Sequence, residues 1–89
     1  MSELPLFYTM KVRVKIFGIL RDLFPNYDVQ EGLEIEMNSD ATYGELIRLL
    51  RIPESTGALT IVDSRVVKKK ETIQPKREIR IMQPLDGGW

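Results

Sequence analysis

An α+β roll, a mixed sheet covered by one main helix, is the fold class that this 89-residue sequence predicts. Three observations carry the prediction. Lys11 to Ile16 alternates charged and β-branched residues without a break, Glu78 to Met82 alternates again near the other end, and Tyr43, Leu46, Ile47 and Leu50 form one helical stripe between them. The order strand, short helix, strand, helix and then two or more strands suits a helix lying on one face of a mixed sheet.

In the first strand Val12, Val14 and Ile16 face the core, and regular continuation puts Phe17 on the wet face with Lys11, Arg13 and Lys15. Ile19, Leu20, Leu23 and Phe24 repeat with helical spacing until Pro25 and Asn26 close the segment, which predicts a short helix or helical turn. Val29 to Met37 reads as a second strand, with Leu33, Ile35 and Met37 alternating with Glu34 and Glu36, antiparallel to the first. Thr42 stands three residues before Glu45, the spacing of a capping box, so the main helix starts there and Pro53 halts it. Leu59 to Val62 and Val66 to Val67, separated by Asp63, Ser64 and Arg65, form a hairpin or a bent strand. Lys68, Lys69 and Lys70 read as a solvated edge that discourages edge-to-edge pairing, in preference to a steering patch for an acidic partner. Ile73 to Pro75 enters a turn, and the last strand points Ile79 and Ile81 inward, Arg80 and Met82 outward. The expected organisation is an N-terminal tail over 1–9, one folded domain over 10–82 and a C-terminal tail over 83–89.

Composition excludes several kinds of chemistry. Thirteen Lys and Arg balance thirteen Asp and Glu, so the field that nucleic-acid binding needs is missing. There is no Cys and no His, which removes thiol nucleophiles, zinc-thiolate sites and the commonest general base, and no metal site is expected. Asp22, Glu34, Glu36 and Asp86 make no pair that the sequence places face to face, so the chain is not expected to be an enzyme. Apolar runs are only a few residues long and the first ten residues lack the pattern of a signal peptide, so a cytoplasmic protein without a membrane span is expected.

The C-terminal end behaves unlike a core. In Gln83 to Trp89 (QPLDGGW), Pro84 blocks the ladder, while Gly87 and Gly88 carry no side chains, so the segment can thread a narrow channel. Gln83 to Gly88 spans about 20 Å when extended, enough to reach a buried site on another protein. Phe17 and Met82 project from the same outer face, and as neighbours they would form an apolar spot rimmed by Lys15 and Arg80.

With Arg21-Asp22-Leu23 after the first strand and Pro-Leu-Asp-Gly-Gly near the end, the sequence resembles the MoaD/ThiS ubiquitin-like sulfur carriers over Met10 to Gly88, and MoaD, the molybdopterin synthase small subunit, more than ThiS. The resemblance implies a β-grasp fold and a terminal glycine that an E1-like enzyme adenylates with ATP and that then becomes a thiocarboxylate. It implies no stably bound cofactor. Gly88 matches the acceptor glycine and Gly87 its slender neighbour; Phe17, Val66 and Met82 match the apolar docking surface, which Pro84 and Leu85 extend into the tail. The implied partners are the adenylating enzyme, the molybdopterin synthase large subunit or another sulfur acceptor, and a C-terminal processing protease.

Two departures stand out. Pro75-Lys76-Arg77 replaces the Gly-Asp pair usual before the last strand, and Trp89 follows Gly88 and masks the carboxylate. Trp89 is either removed by a protease, or tolerated during activation, or the mark of a lineage that only binds partners. The leading reading is removal and sulfur transfer in molybdenum- or tungsten-cofactor assembly. The alternatives are a ubiquitin-like modifier conjugated through Gly88 and a non-catalytic β-grasp interaction module.

Overall fold

The computed structural model describes residues 9–28 and 30–84. Strand β1 spans Thr9–Ile16, β2 Leu33–Asn38, β3 Leu59–Val62, β4 Arg65–Val67 and β5 Glu78–Met82, with helix α1 at Tyr43–Leu49 and short 3-10 helices at Gly18–Leu23 and Glu54–Thr56. They form one five-stranded sheet in the order β2-β1-β5-β3-β4. The pair β1 and β5 is parallel; every other pair is antiparallel. This is the β-grasp arrangement that the resemblance implies.

The alternation of β1 and β5 works as expected: Val12, Val14, Ile16, Ile79 and Ile81 are buried and form one core with Tyr43, Leu46 and Ile47 of α1. Burying side chains of this size stabilises by about 1.5–3 kcal/mol each before chain entropy is counted, so the two central strands and α1 dominate the fold.

Both ends of α1 are closed by local chemistry. The Glu45 N–H donates to Thr42 Oγ1 at 3.2 Å and the Thr42 N–H to Glu45 Oε1 at 2.9 Å, the expected capping box. The other two exposed amides, Tyr43 and Gly44, donate to the carbonyls of Glu71 and Lys69. That crossing is tight: a Cβ on Gly44 would sit 3.1 Å from the Lys69 Cβ. At the C-terminus the Ile52 N–H bonds the Ile47 carbonyl and the Arg51 N–H that of Arg48, a Schellman pair with Arg51 left-handed at φ 61° and Ile52 buried beside Ile47.

The structure refines two expectations, the helical turn after β1 and the lysine edge, and corrects two, the start of β2 and the turn from β3 to β4. The segment after β1 is a 3-10 helix with Leu20 alone buried; Ile19 and Leu23 are 69% and 47% exposed. Winding at three residues per turn lets only one residue per turn face the sheet, and Phe24, beyond the last turn, occupies the inner side in place of Leu23. β2 begins at Leu33, not at Val29, which lies outside the described residues. Asp28 Oδ1 accepts from the amides of Gln30 and Glu31, and Gly32 turns at φ 73° against the Val14 carbonyl, so the chain is still turning where a strand was expected. The connection from β3 to β4 is the two-residue turn Asp63-Ser64, both residues at positive φ, so Arg65 belongs to the strand. Lys68, Lys69 and Lys70 are exposed beyond the edge strand β4, yet the segment also has packing work: Lys69 pairs with Glu54 at 3.5 Å and its carbonyl caps α1.

Candidate docking face and tail exit

The sheet has a covered face and an open one. On the open face the register brings Phe17, Met82 and Leu59 into one row, because Met82 pairs with Leu59 and the Phe17 N–H donates to the Ile81 carbonyl at 2.9 Å. The next row holds Lys15, Arg80, Ile61 and Val66, from β1, β5, β3 and β4 in turn. Phe17, Val66 and Met82, which come from distant parts of the sequence, thus lie on one face. Phe17 is 38% exposed and Val66 53% exposed, whereas Met82 is half-buried. Leu59 and Ile61 join them. Their outward parity follows from Thr60 and Val62 pointing inward, a cue present in the sequence that becomes informative only once β3 is known to lie beside β5.

Phe17 keeps its position through backbone chemistry. It follows β1 in an extended conformation, and the preceding Ile16 N–H, which has passed the end of β2, is taken by the Tyr27 hydroxyl at 2.8 Å. With both amides satisfied the strand holds its direction up to the aromatic ring.

The same end of the sheet releases the C-terminal segment. β1 and β5 run parallel and finish there, β3 starts there and β4 returns to it, so Gln83 and Pro84 depart beside Phe17 and Leu59. Pro84 is half-buried. Leu85, Gly87, Gly88 and Trp89 lie outside the described residues.

Among the described residues, the acids named from the sequence lie on different elements or on one face of β2. Glu34 lies near Arg13 and Glu36 accepts from the Thr9 hydroxyl, while Asp22 borders a shallow depression at the 3-10 helix and Asp86 lies outside the described residues. Among the described residues no cluster of three metal-ligating side chains occurs, and no helix is long and apolar enough to cross a membrane.

A mixed five-stranded sheet with one main helix packed on it is the ubiquitin-like β-grasp fold. The sequence matches the ThiS family over residues 14–88, and the chain belongs to that family. Similar solved structures include the solution structure of the Haloferax volcanii HVO 2177 protein, with a TM-score of 0.69, 18% identity and coverage of 90% of this chain and 88% of that one. The Caldiarchaeum subterraneum ubiquitin has a TM-score of 0.53 and 17% identity, covering 91% of this chain and 100% of that one. No curated protein matches the sequence.

Proposed function

We propose that this ThiS-family protein is a sulfur carrier whose reactive group is the carboxylate of Gly88, exposed by removal of Trp89, and that it serves molybdopterin or tungsten-cofactor assembly. An E1-like enzyme docks on the open face through Phe17, Val66 and Met82, with Pro84 and Leu85 leading the tail toward its active site. The observation that carries this reading is that Gln83 and Pro84 leave the sheet beside the apolar face; Gln83 to Gly88, about 20 Å when extended, is long enough to reach the active site of a partner seated there.

The chemistry follows from the reactivity of carboxylates. A carboxylate is a poor electrophile, so its oxygen first attacks the α-phosphorus of ATP and pyrophosphate leaves, giving an acyl adenylate. A partner's persulfide then attacks the carbonyl carbon and AMP departs. A second thiol attacks the resulting S–S bond, becoming a disulfide as the thiocarboxylate is released. With no Cys in the chain, the sulfur can be carried only on the terminal carboxyl. Gly87 and Gly88 serve by lacking side chains, and a Trp at the end would fill a channel shaped for glycine.

ATP–pyrophosphate exchange tests the proposal. With the E1-like enzyme of the same organism, the chain ending at Gly88 is expected to support exchange and the chain ending at Trp89 to support little. Equal exchange by both forms, or none by either, would overturn the assignment of Gly88.

A further inference from the structure

Arg80 occupies the middle of the open face. Its neighbours across the strands are Lys15 on β1 and Ile61 on β3, with Val66 beyond Ile61 and Met82 the next outward residue on β5. The guanidinium bonds Glu78 Oε1 through Nε at 3.2 Å, its one hydrogen bond among the described residues. The two terminal nitrogens, which form the fork that recognises carboxylates, are left open there.

Both carboxylates beside Arg80 are already engaged. Glu78 also pairs with Lys15 Nζ at 3.4 Å, and Asp63, the other carboxylate bordering the depression beside Arg80, is engaged by Arg77 at 3.0 Å. Burial pushes the Glu78 carboxyl up, but the hydrogen bonds from Arg80 and Lys15 outweigh it and hold the group below the usual glutamate range, so it is ionised at neutral pH. Three cations, Lys15, Arg77 and Arg80, thus hold these two carboxylates, and neither carboxylate takes the two terminal nitrogens of Arg80.

We propose that Arg80 is the specificity anchor of this face, receiving a partner carboxylate on its two terminal nitrogens, so that the partner is a protein surface bearing an acidic side chain among apolar ones. This rests on the docking face proposed above and adds the chemistry that its partner must carry. A guanidinium and a carboxylate form two parallel charge-assisted bonds, and the apolar residues around Arg80 exclude the water that weakens such pairs at an open surface. One free guanidinium fork matches a single carboxylate and is far too little for a polyanion such as RNA, whose binding needs several phosphate contacts.

The test is the affinity of the E1-like adenylating enzyme of the same organism at low and high salt. The ligands are wild type, Arg80→Ala, Arg80→Lys and Phe17→Asp, each in the 89-residue chain and in the chain ending at Gly88. Arg80→Ala is expected to weaken binding about 30-fold and to reduce its salt dependence, with the thermal melt unchanged. Arg80→Lys is expected to recover only part of the loss, because an ammonium cannot form the two-pronged pair. Loss of affinity in Phe17→Asp with wild-type affinity in both Arg80 variants would overturn the anchor and leave the docking face standing. If Phe17→Asp also binds as wild type, or if no form of the wild-type chain binds, the docking face fails and the anchor fails with it.

Discussion

Arg51, Asp63, Ser64 and Lys76 all hold positive φ, a conformation that costs a residue with a Cβ about 1 kcal/mol. Lys76 stands in the turn before β5, where the family's usual Gly would relieve the strain, and its neighbour Arg77 pairs with Asp63 at 3.0 Å. Lys76→Gly and Arg51→Gly are each expected to stabilise the fold by about 0.5–1 kcal/mol, raising the melting temperature by roughly 4 °C in a domain of this size. Gly32 has the opposite constraint. A Cβ there would lie 2.7 Å from the Val14 carbonyl oxygen, so Gly32→Ala should destabilise by about 2 kcal/mol or more in urea denaturation. Arg51 and Lys76 were not legible from residue type, because neither Arg nor Lys signals a left-handed backbone.

β1, β5 and the start of α1 were legible because each follows from a local rule: two-residue alternation for the strands and reciprocal hydrogen bonding for the cap. Thr42→Ala removes that cap and is expected to cost about 1 kcal/mol in the same denaturation experiment. The helical turn at Gly18–Leu23 was legible, but not its 3-10 winding, which exposes Ile19 and Leu23. The link from β4 to α1 depends on charge as well as backbone. Arg65 hydrogen-bonds Glu71, and the Lys68 N–H donates to the same carboxylate, so the Glu71 carboxyl is held below its ordinary range. A lowered folded-state pKa adds stability above the unfolded value, and that contribution is lost as pH falls through the folded one. Glu71→Gln should therefore be less stable than wild type at neutral pH, with the gap closing in acid, as urea midpoints at pH 7 and pH 3 would show.

The whole sheet makes a surface that no single segment contains. Phe17, Leu59, Ile61, Val66 and Met82 come from four strands or their ends, and only the order β2-β1-β5-β3-β4 makes them neighbours. The parity of Phe17 and Met82 was legible before the fold was known. The contributions of Leu59 and Ile61 were not, because they depend on which strand lies beside β5. The parallel pairing of β1 with β5 also brings Phe17, Met82 and the departing Gln83 and Pro84 to the same end of the sheet. Under the proposed function a partner seated on the open face lies beside the point where the C-terminal segment leaves the sheet.

The most direct test of that division of labour is the intact mass of the protein isolated from its own cells, followed by incubation with ATP, the E1-like enzyme and a sulfur donor. The expected result is a chain that ends at Gly88 and then exchanges one oxygen for sulfur. A chain that retains Trp89 while the cofactor pathway runs, or one ending at Gly88 that never gains sulfur, would contradict the account.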